Sequence, residues 1–369
     1  MIMLRKKQRQ LQKPDIRFDE RDTMFARAVR IKNTPEYDDY YTRRPDLKKI
    51  DDNLRELQQL LSPKGKYYDP DISPKADQYF EDIGKIVPDP EIVDKWIERI
   101  INCDNTSKVL RELTIELGAV ACGFTKIPDE FTYSHKGRLD QNYGDPINNE
   151  HKSMLVFLVE MDYRAMKQAP GPSTICESAH QYFRAARIAK TINEILVKSG
   201  IKAKAEFDAN YNSILPPLAE LAGLGEVGRN NILIADKYGS RVRIGAVRID
   251  QELEYDSPIT LGVENFCEIC KKCADNCPSK ALSQDSKVYI NGVEKWPTNV
   301  EACYGYWRSI GTDCGICMAA CPFSHRNNWF HNLVRWMVKT LPWSRRIALF
   351  FDDLIYGRKW KMPTGARKQ

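Results

Sequence analysis

Apolar positions along this chain follow two rhythms, and both sharpen near residue 91. Before that point the sequence is polar and rich in charge, Pro and Asp. Met24, Phe25 and Ala28 give residues 17–30 one apolar side, and Ile50, Leu54, Leu57 and Leu61 give residues 46–61 a helical period. Residues 1–90 therefore read as a wrapping layer. Beyond it, residues 91–100 and 106–118 are expected helices, the second stopped by Gly118. Ala119–Phe124 is an expected short strand. Met154–Val159 is wholly apolar and suits a central strand covered on both faces. A long helix is expected over Glu177–Lys198, where Phe183, Ala186, Ile192 and Leu196 recur at helical spacing before Gly200. Ile201, Ala203, Ala205 and Phe207 then alternate with Lys202, Lys204 and Glu206, the pattern of a half-buried strand. A short helix at Pro217–Leu224 and strands at 232–236 and 241–249 follow, with Tyr238 and Gly239 turning between the strands. Residues 91–260 thus read as mixed α/β, 261–330 as a cysteine-rich module, and 331–369 as an aromatic, basic tail.

Composition narrows this picture. The chain has 369 residues, 42% hydrophobic and 29% charged, which is ordinary for a folded protein. The net charge of +6 includes Arg5, Lys6, Lys7 and Arg9 at the start and Arg367 and Lys368 at the finish. So modest an excess does not mark a nucleic-acid partner, and none is expected. The longest apolar runs, 154–159 and 347–351, fall far short of the ~20 residues that span a bilayer. No apolar segment follows the charged start as in a secretory signal. Eleven cysteines are an odd number, and eight of them lie within residues 267–321, which points to metal ligation and not to disulfides.

Those eight fall into two sets. The first is Cys267, Cys270, Cys273 and Cys277, followed by Pro278; the second is Cys303, Cys314, Cys317 and Cys321, followed by Pro322. C-x2-C-x2-C-x3-C-P is the spacing of bacterial ferredoxins with two [4Fe–4S] clusters, in which the fourth cysteine of each run reaches the other cluster. The expected ligands are therefore Cys267, Cys270, Cys273 and Cys321 for one cluster and Cys277, Cys303, Cys314 and Cys317 for the other. Zinc, the competing reading, usually takes paired C-x2-C knuckles, which a four-cysteine run ending in Pro fits poorly. Cys103, Cys122 and Cys176 are left over and read as small buried hydrophobes. Two clusters in tandem make an electron wire, but about 70 residues suffice for that, so the remainder favours a reductase over a carrier.

Gly223, Gly225 and Gly228 match the dinucleotide fingerprint G-x-G-x-x-G by spacing, yet the preceding segment is proline-broken and helical in pattern. The strand–turn–helix context that gives the fingerprint meaning is missing. The glycines mark a tight turn or a close backbone approach. At this point the sequence closely resembles the corrinoid iron–sulfur reductive dehalogenases. The resemblance is carried by RFDERDTMFAR (17–27), YYTRRPDLKKIDD (40–52), FLVEMDYRAMKQAPG (157–171), LAGLGEVGRNNILI (221–234), YGSRVRIGAVRID (238–250) and CPFSHRNNWFHNLVRW (321–336), and it covers nearly the whole chain.

That resemblance implies an α+β protein: a nitroreductase-like α/β core, residues 91–260, holding a base-off cobamide against a ferredoxin-like two-cluster module, residues 261–330. The N-terminal wrapping segment and a tail, 331–369, packed on the core complete it. No D-x-H-x-x-G motif offers the cobalt a histidine. The turn with Gly223, Gly225, Gly228, Arg229, Asn230 and Asn231, together with Arg241, is then expected to contact the cobamide. Family members donate a proton from a tyrosine beside a basic residue; the matching positions are Tyr182 and Arg243, with Asn210 as a polar pocket residue and His180 as a rival donor. Arg241, two residues from Arg243, is expected on the same strand face. A guanidinium beside the phenol favours the phenolate and so eases donation. Each of these residues has an ordinary packing role as its alternative.

Trp296, Tyr304, Tyr306 and Trp307, between the cysteine sets, either pack around clusters or line a pocket. Trp329, Phe330, Trp336 and Trp343, with Arg335, Lys339, Arg345 and Arg346 nearby, either pack or contact lipid or an anchor protein. The resemblance implies a small organohalide substrate, an external low-potential electron donor and a small membrane anchor protein, and it leaves room for a homodimer. It also implies a peripheral place on the outer face of the cytoplasmic membrane if an export leader was removed, and a cytoplasmic one otherwise. Three rivals stand beside it: an epoxyqueuosine-reductase-like enzyme acting on tRNA, a cobamide reductase of another non-halogenated substrate, and a non-catalytic redox protein. The first usually carries a helical-repeat tail, whereas here 48 residues without a repeat follow Cys321.

Overall fold

The apolar run at 154–159 lies at the centre of the molecule. In the computed structural model, which describes residues 17–290 and 293–362, the strands are β1 (Ala121–Lys126), β2 (Ser153–Glu160), β3 (Ala203–Glu206), β4 (Gly225–Val227), β5 (Leu233–Ala235) and β6 (Val242–Ile249). Arg5, Lys6, Lys7, Arg9, Arg367 and Lys368 lie outside the described residues. The main sheet has the order β1-β2-β6-β3, with every pairing antiparallel. All of β2 except Glu160 is buried, as a strand covered on both faces requires. Phe157 stands opposite Cys122 on one side and Gly245 on the other. A Cβ at Gly245 would lie 2.4 Å from the Phe157 ring, so only glycine fits there.

Helices cover both faces. The long helix is Pro172–Lys198, which starts five residues before the expected Glu177 because Pro172 at its first position is already set for helix. Its Ile188, Ile192, Ile195 and Leu196 pack with Phe157, Val159 and Val247 in the main core. On the other face Leu215 and Leu218, from the helix Leu215–Leu221, meet Met154, Val156 and Ala246. β3 departs from expectation. Ala205 faces the main core as its alternation predicts, but the opposite face is covered too. Glu206 is fully buried there, with its Oε1 2.6 Å from Nε of the equally buried Arg248. Arg248 also donates to Ser213, Thr132 and Asn149, so this face is a buried polar network in which one oxygen of the carboxylate, Glu206 Oε2, keeps no partner.

The cysteine-rich module carries helices at Val263–Cys270, Lys272–Asp275, Val300–Ile310 and Ile316–Ala319, and a hairpin of β7 (Val288–Ile290) and β8 (Val293–Lys295). Residues 17–90 touch both parts. The helix Ser73–Lys85 packs Ala76 on Ile175 and Ala179 of the long helix. Arg27, nearly wholly buried, bridges Asp51 and Glu301 at 2.6 Å each. The tail forms two helices, Trp329–Thr340 and Ser344–Tyr356. They pack chiefly on the cysteine-rich module, where Val338 joins Val263, Phe266, Cys270, Cys321 and Phe323, and they also meet the α/β core: Ile234 belongs to the same cluster, and beyond the second helix Trp360 Nε1 donates to Ala169 O.

Candidate active site

A cavity of about 1000 Å³ opens where the long helix, the loop after β3, β6, the N-terminal segment and the cysteine-rich module meet. It lies at the top of the usual range of roughly 300–1,000 Å³ for small-molecule sites, with room for a macrocycle. Ile175, Ser178 and Tyr182 present one face of the long helix to it. Ser178 and Tyr182 are four residues apart and so lie one above the other.

The structure sorts the cysteines into two foursomes. Cys267, Cys270, Cys273 and Cys321 surround one small cavity, while Cys277, Cys303, Cys314 and Cys317 lie on the wall of the large one. Cys321 therefore sits with the first run and Cys277 with the second. Burial pushes the Cys273 and Cys314 thiols up to about 12 and Cys303 up to about 11. Thiols in such surroundings become thiolates only against a strong positive centre such as a coordinated metal. Among the described residues no three His, Cys, Asp or Glu side chains close on a point that would hold a single ion. The first foursome instead surrounds a small space, and the second borders the large cavity.

Arg243 reaches the cavity from β6, and its guanidinium carbon stands 4.6 Å from the centroid of the Tyr182 ring. It lies over the ring face, in cation–π geometry, instead of pointing at the hydroxyl. Arg243 donates to Ser178 Oγ and lies 3.4 Å from Asp313 Oδ2. Burial holds the Tyr182 phenol above its ordinary value, and Arg243 opposes it without prevailing. The Asp313 carboxyl is likewise raised by burial, again with Arg243 opposing. Nearby, Arg138 Nη1 donates to Asp208 Oδ1 at 2.9 Å. Asn210 lines the same wall, and its Nδ2 lies 3.4 Å from the Ala205 carbonyl.

Other residues singled out from the sequence have different places. Of the stretch from Gly223 to Asn231, only Asn230 lines the large cavity. Gly223 has φ +72°, and a Cβ there would lie 2.7 Å from the Ser257 carbonyl oxygen. Gly225 belongs to β4, and a Cβ would lie 2.3 Å from the Ile234 carbonyl oxygen on β5. Gly228 packs on the Ile234 side chain. These glycines thus serve contacts between protein segments. Arg229 is buried and donates to the carbonyls of Cys267, Ser283 and Asp285, so it braces the first foursome. Asn231 donates to Trp296 O and Thr298 Oγ1. Arg241 was expected to share a face with Arg243, but β6 begins at Val242 and strand alternation does not reach it. Its guanidinium is buried and donates to Ser324 O, Met161 O and Glu160 Oε1. His180 stacks on Tyr79 at 4.8 Å and is not among the residues lining the cavity. Tyr304, Tyr306 and Trp307 line it, whereas Trp296 is buried beneath Arg229.

Ser178, Asp313, Arg138, Asp208 and Phe80 were not anticipated. Ser178 was within reach, since helical spacing puts it beside Tyr182. The others come from distant segments with no pattern to link them. Asn230, Arg243 and Asp313 on the cavity wall each keep one buried polar atom without a partner: Nδ2, Nε and Oδ1. Unsatisfied groups of this kind are costly, and two donors and an acceptor suit a bulky ligand edged with amides. Among the described lining residues there is no histidine.

Comparison with known proteins places these features. The family model described as a 4Fe-4S dicluster domain matches residues 266–325, so this segment is an iron–sulfur cluster module. A tetrachloroethene reductive dehalogenase of Desulfitobacterium hafniense is 31% identical over 297 residues, covering 68% of this chain and 53% of the relative. The chain thus spans about half the length of that relative. A solved reductive dehalogenase, described as suggesting a mechanism for B12-dependent dehalogenation, superposes with a TM-score of 0.64 and 26% identity, covering 70% of this chain and 37% of that one. The catabolic reductive dehalogenase NpRdhA superposes with a TM-score of 0.72 over 93% of this chain and 47% of that one; at 23% identity it speaks to the fold.

Proposed function

This chain belongs to the corrinoid iron–sulfur reductive dehalogenase family, and on that premise we propose that it replaces halogen by hydrogen in a small organohalide. The reaction takes two electrons and one proton and releases halide. The observation that carries the reading is the meeting, on one cavity wall, of Tyr182 under Arg243 with the foursome Cys277, Cys303, Cys314 and Cys317. A cobamide bound in that cavity would supply the reductive cleavage of the carbon–halogen bond. Asn230, Arg243 and Asp313, each with an unpartnered polar atom on the wall, would hold it.

In this reading Cys267, Cys270, Cys273 and Cys321 would hold one [4Fe–4S] cluster and Cys277, Cys303, Cys314 and Cys317 a second, and an external low-potential donor would supply the electrons. The second foursome lines the cavity, so a cluster held there would carry those electrons to it. Tyr182 gives up its hydroxyl proton to the carbon that loses halide. Arg243 stabilises the phenolate left behind, and Ser178 and Asp313 keep the guanidinium over the ring. Phe25, Phe80, Tyr304 and Trp307 line the cavity with apolar surface, which excludes water and strengthens each of these charges. The test is anaerobic turnover of the cobamide-reconstituted chain, with a chemical reductant, against chlorinated and brominated alkanes, alkenes and phenols. Halide release above the free-cofactor background is expected. Background release throughout the panel, with clusters and cobamide both present, refutes the reading.

A further inference from the structure

The second tail helix carries the pattern of a core helix turned towards solvent. Ile347, Phe350, Phe351, Leu354 and Ile355 recur at i, i+3, i+4, i+7 and i+8, the spacing that normally faces a protein interior. Here they are 46% to 69% exposed. The first tail helix and the turn after it add Trp329, Trp336 and Trp343, which are 54% to 78% exposed. Between the two helices runs a groove of about 410 Å³ with almost wholly apolar walls. An exposed apolar surface this continuous marks an interaction site.

Charge identifies the partner. Residues 326–362 contain eight Lys and Arg against two Asp, an excess of six that equals the net charge of the whole chain, so the rest of the chain sums to zero. The two acids face inward. Asp352 pairs with Lys272 and His325, and Asp353 with Lys272 and Arg358. Arg326, Lys339, Arg346 and Lys361 are exposed. A second copy would set this excess against its own, which disfavours self-pairing. No helix among the described residues is long and apolar enough to cross a membrane. Aliphatic and Phe side chains in a helical stripe, Trp beside them and an uncompensated basic rim are the composition of a helix lying in a bilayer interface.

We propose that the hairpin of the two tail helices docks this protein on an anionic lipid bilayer. The stripe enters the acyl boundary, the Trp rings lie at headgroup level and the exposed cations meet lipid phosphates. The inner side of the hairpin packs Val338 with Cys270 and Cys321, so docking brings the first foursome of thiols to the membrane, where a membrane-held donor would reach it. That last consequence rests on the functional reading above; the docking does not.

The test is sedimentation of the full chain, prepared anaerobically, with vesicles of phosphatidylcholine alone or mixed with phosphatidylglycerol. Strong binding is expected only to the anionic vesicles, weakening with salt. Phe350→Ser with Leu354→Ser, and separately Lys339→Glu with Arg346→Glu, should each weaken that binding by roughly tenfold or more. The charge-reversed pair alters exposed groups only and should retain the parent's thermal transition. Equal binding to both vesicle types, no binding, or binding unmoved by both variants overturns the proposal. So does a concentration-dependent dimer that the same substitutions abolish. Halide release is read separately, so failure of docking and failure of dehalogenation are distinguishable.

Discussion

Tyr182→Phe isolates one hydroxyl. The ring it leaves stays 4.6 Å beneath Arg243 and 6.1 Å from Phe80. The Tyr182 hydroxyl hydrogen-bonds to no other described residue, so its removal orphans no partner, and the melting temperature should move by no more than about 2–4 °C. Cluster iron and cobamide absorbance should equal the parent's. Turnover should not. General acid catalysis by a positioned group contributes typically ~10²–10⁴-fold, equivalent to about 3–5.5 kcal/mol of barrier. Because burial holds this phenol above its usual value, it remains protonated throughout the neutral range, and its own titration should not limit activity below about pH 10. The assay is anaerobic halide release with saturating reductant, followed from pH 6 to pH 9. A Tyr182→Phe enzyme that keeps turnover within about twofold of the parent, with both cofactors intact, refutes the assignment of Tyr182 as proton donor.

Three further outcomes are expected. Cys321→Ser, although in the second cysteine run, should remove the cluster of Cys267, Cys270 and Cys273, lowering iron from about eight to about four per chain; loss of the same spectral signal as in Cys314→Ser contradicts the crossed ligation. Arg248→Met leaves Glu206 charged and buried without its partner, so stability should fall by roughly 3–5 kcal/mol in a denaturant titration. Adding Glu206→Gln should recover part of that loss. Burial depresses the Lys204 ammonium to about 8, so between about pH 8 and 10.5 the unfolded chain binds more protons at this site, and its contribution to stability rises with pH across that window. Lys204→Met should flatten that rise; an unchanged slope of melting temperature against pH removes Lys204 as its cause.

How much of the protein could be read from the chain depended on the range of the signal. The cysteine runs were legible because their short spacing and the prolines that end them, Pro278 and Pro322, match a known two-cluster motif, and that motif carries the long-range crossing of Cys277 and Cys321 with it. The central strand and the long helix were legible because each buries a face long enough to impose a period. β4 was not, since Gly225–Val227 shows neither a period nor an apolar run like that of the equally short β5. The tail helices read only as an aromatic stretch, because their apolar stripe faces outward and could not be told from core by sequence pattern.

The candidate site divides in the same way. Tyr182 and Arg243 were named by the family resemblance, and Ser178, one helical turn from Tyr182, was within reach once Tyr182 was named. That Arg243 lies over the Tyr182 ring, while Arg241 two residues earlier is spent on Ser324, Met161 and Glu160, follows from where β6 begins, and neighbouring strands decide that. Asp313 and Arg138 reach the cavity from segments 175 residues apart. The chain by itself pointed to the metal-ligating chemistry and to the main elements that carry it, because a recurrent cysteine motif and a helical or strand period are both written in local spacing. The cavity, its charges and the surface turned outward were decided only by tertiary structure, because they arise from packing between segments whose separation along the chain leaves no trace in local pattern.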